Sequence, residues 1–218
     1  MADVTLPGTV QIVDDVPGAF ADLVALELRH SIALSGGATA EECYVALRDA
    51  AITWPEVDVY YGDERFVPPD HGDSNEGMTR RVLLDFVPVR AVHPMYRPLP
   101  IDDAARAYDD LVRAAPPIDV VHLGLGPDGH TASLFPDSPA LVETQRFVVS
   151  AGDDTHPQPR LTFTFPAIAR ARLVIVTVAG DEKRDAVDRI RAGEDLPGAQ
   201  IRADRVVWLG DRAALGGQ

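Results

Sequence analysis

The stretch Ile118-Asp-Val-Val-His-Leu-Gly-Leu-Gly-Pro-Asp-Gly-His-Thr-Ala-Ser-Leu-Phe-Pro136 decides the fold prediction. Residues 118–123 are rich in β-branched and aliphatic side chains, which is typical of a strand buried on both faces of a parallel sheet. Two glycines end this run, and Pro127-Asp128-Gly129 has the composition of a tight turn. The turn brings His130 to the carboxyl end of the strand, where open α/β sheets bind their ligands. His130 is therefore a candidate catalytic residue, the alternative being a structural role, which is more common for a lone histidine.

The same stretch contains Gly124-x-Gly126-x-x-Gly129, which matches the dinucleotide-binding pattern. That motif requires a long helix after the glycines, because the amino terminus of the helix binds the pyrophosphate. Pro136 and Pro139 leave room for only about one and a half helical turns after His130. We therefore interpret the glycines as loop formers and expect no nicotinamide cofactor.

Composition narrows the class of protein further. The chain has 218 residues, of which 46% are hydrophobic, and a formal net charge of −14. The acidic charge argues against binding to nucleic acid or to an anionic membrane, because both require a basic surface. A single cysteine, Cys43, excludes an internal disulfide framework, and no histidine or cysteine spacing predicts a metal site. No run approaches the roughly 18 apolar residues of a membrane span, so we expect a cytoplasmic protein.

Strand and helix patterns alternate along the chain. This alternation predicts an α/β fold with one doubly wound, mostly parallel sheet and helices on both faces, similar to a Rossmann fold, in a single domain over residues 1–218. Besides 118–123, the predicted strands are 9–13, 31–35, 57–61, 91–96, 146–150, 160–166, 173–178 and 205–209.

Two glycines, Gly36 and Gly37, follow the strand at 31–35, and Thr39 and Glu42 open the next helix in capping-box form. The unpaired amides of a helix amino terminus attract phosphate or an oxyanion, and glycines let the ligand approach the backbone. The segment is therefore a candidate anion cradle. The alternative is that Thr39 is only a cap and the glycines are only a turn.

Charged side chains follow two more strands. Asp63 and Arg65 come after the strand at 57–61, where an arginine suited to phosphate stands beside carboxylates; a solvated, salt-bridged loop is the alternative. Lys183 lies in the predicted first turn of a helix, where a cation opposes the helix dipole. A bound phosphate would explain this position, although Asp181 and Glu182 could also offset the charge.

The carboxyl ends of parallel strands share one edge of a sheet, so the cradle, Arg65, His130 and Lys183 are expected to line one pocket. No G-x-S-x-G nucleophile motif or Walker loop competes with this site. The residues by themselves predict an enzyme that needs no metal and acts on a small phosphorylated polar substrate, with one general base.

Five segments resemble the successive signatures of the 6-phosphogluconolactonase family. In chain order they are Leu34-Ser-Gly-Gly-Ala-Thr39, Asp63-Glu-Arg-Phe-Val-Pro68 with His71 and Ser74-Asn75, Gly124-Leu-Gly-Pro-Asp-Gly-His-Thr-Ala-Ser-Leu-Phe-Pro136, Arg160-Leu-Thr-Phe-Thr-Phe-Pro166 and Gly180-Asp-Glu-Lys183. The third segment is the most specific. Two positions differ from the family's usual pattern, Ala38 in place of serine and Ala40 in place of proline.

The resemblance implies hydrolysis of 6-phospho-D-glucono-1,5-lactone in the oxidative pentose phosphate pathway, without a cofactor. It makes His130 the base, assigns phosphate binding to Arg65 and Lys183, and lets Asp63 and the loop from Gly36 to Thr39 line the substrate. Asp128 either orients His130 or only forms the turn. The oligomeric state stays open, with a monomer as the simplest expectation.

Two other functions remain as alternatives. An amino-sugar-phosphate deaminase or isomerase has a similar fold and an Asp-Gly-His turn, but Thr131-Ala-Ser-Leu-Phe135 lacks the acid that follows in that family. A non-catalytic phosphosugar-binding protein could use the same cradle, although it would have no need of His130.

Overall fold

A computed structural model describes residues 5–152 and 158–216 of the chain. The strands of this part are β1 (Thr9–Ile12), β2 (Ser31–Leu34), β3 (Asp58–Tyr61), β4 (Asp63–Arg65), β5 (Ala91–Val92), β6 (Val120–Gly124), β7 (Val148–Ala151), β8 (Arg160–Phe163), β9 (Leu173–Val178) and β10 (Arg205–Gly210). Its α-helices are α1 (Val16–Glu27), α2 (Ala38–Leu47), α3 (Asn75–Thr79), α4 (Ile101–Ala114), α5 (Phe165–Ala169), α6 (Arg184–Arg191) and α7 (Arg212–Leu215). A π-helical turn, Arg80–Leu84, continues α3, and 3-10 turns occupy Trp54–Glu56, Pro139–Val142, Asp181–Lys183 and Pro197–Gln200.

Seven strands form the central sheet, in the order β1-β10-β9-β6-β2-β3-β5, and all their pairings are parallel. This confirms the predicted α/β class. The side chains of β9 are buried throughout, and full burial of a valine or leucine contributes roughly 1.5–3 kcal/mol. From β2 the chain proceeds to β3 and β5 at one edge, whereas from β6 it proceeds to β9 and β10 on the other side. The boundary between β2 and β6 is thus the topological switch point, where such sheets bind ligands.

A second sheet departs from the prediction of one sheet. It has three antiparallel strands in the order β4-β8-β7. The chain enters it at Gly62, directly after β3, and the Phe163 amide donates to the Gly62 carbonyl at 2.7 Å. Residues 63–65, expected in a loop, therefore form a strand. This pairing was not predictable because it joins residues about one hundred positions apart.

Between β6 and β7 the described residues contain one helical element, the 3-10 turn Pro139–Val142, so no long helix follows Gly124, Gly126 and Gly129. None of the helices in the described residues is long and apolar enough to cross a membrane. That residues 1–218 make a single domain stays a prediction.

Candidate active site

A cavity of about 190 Å³ lies at the carboxyl edge of the central sheet, and segments that follow β2, β3, β6 and β9 line it. The lining residues are Ser35, Gly36, Gly37, Asp63, Arg65, Asn75, Gly124, Leu125, Gly126, Pro127, His130, Ala132, Arg160 and Lys183. The structure therefore brings together six of the predicted site residues: Gly36, Gly37, Asp63, Arg65, His130 and Lys183. Asp128 touches His130 without lining the cavity, and Thr39 is not among the lining residues.

The loop after β6 holds His130 in a tight turn. The Gly126 amide donates to the His130 carbonyl at 2.8 Å, and the Gly129 amide donates to the Gly126 carbonyl at 2.9 Å. Gly129 has φ +87°, a conformation that a side chain disfavours. The imidazole lies against Gly126, where an added Cβ would be only 2.1 Å from His130 Nδ1. The position of the imidazole therefore requires glycine at 126. The sequence had indicated only a loop-forming role for this glycine.

Asp128 both forms the turn and holds the imidazole. Its Oδ1 accepts from the His130 amide at 3.1 Å and lies 2.6 Å from His130 Nδ1. Burial raises the pKa of the Asp128 carboxyl, but the charge and hydrogen bonds of His130 outweigh burial and hold this pKa below its usual range. An ionised Asp128 can only accept, so Nδ1 carries a hydrogen and the lone pair of a neutral imidazole is on Nε2.

The segment Ser35-Gly36-Gly37, which we call the glycine loop, connects β2 to α2. Gly37 has φ +101° and is the N-cap of α2, with no side-chain capping bond. The capping-box prediction is therefore wrong: the helix begins at Ala38, so Thr39 lies inside it, too late in the chain to cap it. Within the described residues, no acceptor pairs with the N–H groups of Gly36 and Gly37. They remain available to an anion, as expected of a cradle.

Asp63 joins three parts of the site. Its Oδ2 accepts from Ser133 Oγ at 2.7 Å, in the turn after His130, and its carbonyl accepts from Asn75 Nδ2 at 2.9 Å. Asn75 in turn packs over Gly36, where an added Cβ would be 1.9 Å from Asn75 Oδ1. The Asp63 carboxylate therefore also has a structural role, because it ties the histidine turn to the strand at Arg65.

Glu64 fixes the segment from the other side of the strand. Its buried carboxylate accepts from four donors: the amides of Arg65, Asn75 and Glu76 at 2.7–2.8 Å and Ser74 Oγ at 3.1 Å. Burial nevertheless raises the pKa of Glu64 to about 7. These bonds anchor the amino terminus of α3 on β4 and so hold Asn75 beside the cavity.

Among the described residues, three cationic side chains line the cavity: Arg65, Arg160 and Lys183. Arg65 Nη1 donates to the Asp73 carbonyl at 2.7 Å, and neither Arg65 nor Lys183 forms an ion pair with any carboxylate of the described residues. Arg160 is 8% exposed, with Nη1 4.0 Å from Asp63 Oδ2. Arg65 and Lys183, without carboxylate partners in the part of the chain that the structure describes, are unusual for a net charge of −14 and create a local site for an anion.

Sequence analysis missed Ser35, Asn75 and Arg160 as lining residues. The alternating pattern groups Arg160 with Thr162 and Thr164 on the polar face of the strand, so the sequence carried no signal of its burial. Lys183 carried a signal of its own, because it is the only lysine in a chain whose other Lys and Arg positions are all arginines.

In residues 5–152 and 158–216, no three His, Cys, Asp or Glu side chains are grouped so that they could hold a metal ion. The two carboxylates beside the cavity are engaged by protein donors, Asp63 by Ser133 and Asp128 by His130.

Comparison with known proteins agrees with this geometry. The family model of glucosamine-6-phosphate isomerases/6-phosphogluconolactonase matches residues 10–208. A 6-phosphogluconolactonase of Synechocystis is 42% identical over 84% of this chain and 82% of its own length, and one of Mycobacterium bovis is 38% identical over 90% and 88%. The solved structure of 6-phosphogluconolactonase from Trypanosoma brucei has a TM-score of 0.80 at 30% identity, covering 96% of this chain and 98% of the other. The chain therefore belongs to the glucosamine-6-phosphate isomerase/6-phosphogluconolactonase family.

Proposed function

We propose that this chain is a carboxylic ester hydrolase that converts 6-phospho-D-glucono-1,5-lactone to 6-phospho-D-gluconate in the oxidative pentose phosphate pathway, without a cofactor. Its family and the names of its relatives support this reaction. The observation that carries the proposal is the Asp128–His130 pair beside a cavity that also contains Arg65 and Lys183. Ester hydrolysis needs a base, and a phosphorylated substrate needs cations.

His130 acts as the general base in this proposal. Nε2 removes a proton from a water molecule whose oxygen adds to the lactone carbonyl, giving a tetrahedral oxyanion and an imidazolium. The bond to the ring oxygen then breaks, and the imidazolium returns its proton to that oxygen. Asp128, 2.6 Å from Nδ1, stabilises the imidazolium and fixes the ring orientation. General-base assistance of this kind contributes roughly 10²- to 10⁴-fold.

Backbone amides and cationic side chains bind opposite ends of the substrate in this proposal. The N–H groups of Gly36 and Gly37 hold the oxyanion, which contributes a factor of roughly 10² to 10³ per donor. Arg65 and Lys183 bind the phosphate at the other end of the substrate. Contacts of Asp63 and Thr39 with the sugar remain predictions from the resemblance.

The test is a coupled assay of 6-phosphogluconate formation from freshly prepared lactone, corrected for spontaneous hydrolysis. His130→Ala should lower kcat at least about 10²-fold with little change in KM. His30→Ala is the matched control, because His30 is an exposed histidine at the amino end of β2, away from the cavity. Equal activity of the His130 variant and the wild type would remove His130 from the role of base.

Background rates from a folded wild-type protein would refute the lactonase. Release of ammonia from glucosamine 6-phosphate would then indicate the deaminase, and binding of 6-phosphogluconate without turnover of either substrate would indicate a phosphosugar-binding protein. The proposed ligand is a free phosphosugar lactone, and neither nucleic acid nor a membrane is part of the proposal. The cytoplasmic location and the monomeric state stay predictions.

A further inference from the structure

A chain of buried hydrogen bonds runs beneath the glycine loop. His122, in the middle of β6, has Nδ1 2.8 Å from Tyr44 Oη and Nε2 2.9 Å from Thr177 Oγ1. Tyr44 Oη also accepts from the Ser35 amide at 2.7 Å. His122 and Tyr44 are fully buried, with the Phe20 ring 4.3 Å from the imidazole. The chain thus connects β9, β6 and α2 to the first residue of the loop.

The positions of the hydrogens follow from the donors available. Tyr44 accepts the Ser35 N–H, so its own single hydrogen is donated to His122 Nδ1. The imidazole is then the neutral tautomer with its hydrogen on Nε2, which donates to Thr177 Oγ1. This is the assignment in which every polar hydrogen of Tyr44 and His122 has a partner. Burial lowers the pKa of His122 to about 3, so the ring stays neutral at physiological pH.

The Ser35 bond restrains a backbone that has little rigidity of its own. Gly36 and Gly37 have no Cβ, and Gly37 adopts φ +101°, so side chains restrain the backbone of this segment little. Tyr44 lies in α2, the helix that follows the glycine loop. Its bond to Ser35 therefore ties the two ends of the loop together across the two glycines.

We propose that Tyr44 and His122 are positioning residues that hold the Gly36 and Gly37 amides in the orientation that receives the substrate. They do not touch the ligand, and they act through the Ser35 amide. The proposal rests on the proposed function for the identity of the ligand and for its contact with the Gly36 and Gly37 amides.

The first variant is Tyr44→Phe, which deletes the hydroxyl and leaves the ring in place. Tyr61→Phe is the control, because the Tyr61 side chain is equally buried and its hydroxyl lies 2.8 Å from Thr79 Oγ1. Thr79 does not line the cavity. Tyr44→Phe loses two buried hydrogen bonds and Tyr61→Phe loses one, so both variants should lose stability, and Tyr44→Phe should lose more. Amide hydrogen exchange, calorimetric affinity for 6-phosphogluconate, kcat and KM are measured for each.

Tyr44→Phe should speed amide exchange at Ser35 about tenfold, raise the Kd of 6-phosphogluconate about tenfold and lower kcat/KM by a similar factor, since a net hydrogen bond corresponds to roughly one order of magnitude. Tyr61→Phe should change none of these. Equal Kd and kcat/KM in the two variants would overturn the proposal and leave the buried chain a purely structural role.

His122 gives a second pair of variants. His122→Asn keeps an acceptor near Nδ1 for the Tyr44 hydroxyl, whereas His122→Leu removes it at similar volume. Asn should restore most of the affinity that Leu loses, and equal losses in both would contradict the proposal. If the wild type binds 6-phosphogluconate but does not hydrolyse the lactone, the proposed function fails while the exchange and affinity data still test the positioning role. If it does not bind 6-phosphogluconate either, amide exchange at Ser35 decides, and wild-type exchange in Tyr44→Phe would overturn the positioning role.

Discussion

Replacement of Gly126 by alanine tests the geometry of the base directly. The added Cβ would lie 2.1 Å from His130 Nδ1, 2.2 Å from its Cε1 and 2.7 Å from Asp128 Oδ1. Ordinary van der Waals contact begins at 3.4 Å, so the ring has to move by about 1.3 Å. The His130 side chain is 25% exposed and has room to swing outward. The backbone at 126 does not have positive φ, so alanine itself is tolerated there.

The expected cost is in catalysis rather than in folding. A displacement of about 1 Å at a reacting group lowers the rate about 10²-fold. Gly126→Ala should therefore reduce kcat about 10²-fold in the coupled lactonase assay, with KM within about twofold of the wild type and unfolding by urea nearly unchanged. Gly62→Ala is the control, because its added Cβ would be 3.7 Å from the nearest atom, the Leu34 carbonyl oxygen, and it does not line the cavity.

Wild-type kcat in Gly126→Ala, with an unshifted His130 ring in its crystal structure, would refute the steric reasoning. Wild-type kcat with a displaced ring would instead refute His130 as the base.

Variants of the cavity cations, of Asp128 and of His122 test three further parts of the structure. Arg65→Ala and Lys183→Ala should each raise KM about ten- to a hundredfold with smaller effects on kcat, and unaltered KM in both variants would mean that the phosphate lies elsewhere. Lys183 is the only lysine of the chain, and 6-phosphogluconate should protect it from acetylation by an N-hydroxysuccinimide ester. Asp128→Asn should lower kcat about tenfold or more, because an amide does not stabilise the imidazolium, whereas a normal pH profile and kcat would leave Asp128 only its role in the turn. His122 alone should make the free energy of unfolding about 2 kcal/mol lower at pH 5 than at pH 8, because this histidine takes up a proton near pH 6.5 in the unfolded chain and only near pH 3 in the folded chain. His122→Asn should remove this part of the pH dependence, measured by urea unfolding. The same change of unfolding free energy with pH in both proteins would contradict the prediction.

The sequence determined the parallel α/β class because its strands are apolar runs that end in glycine or polar turns, and such signals are local. The sequence also predicted that Gly36, Arg65, His130 and Lys183 lie at one edge of the sheet, because the carboxyl ends of parallel strands share that edge. These inferences needed only the order of elements along the chain.

Only the tertiary structure decided which side chains meet. The pairing of β4 with β8 joins Asp63 to the neighbourhood of Arg160, and no periodicity encodes a contact across that distance in sequence. The same applies to the imidazole resting on Gly126 and to the Tyr44–His122 bond beneath the glycine loop. Thr39 failed as a cap because the positive φ of Gly37 starts the helix two residues earlier in the chain than Thr39 would require. Local propensity reports what a residue favours, whereas contacts depend on the packing of segments that are distant in sequence.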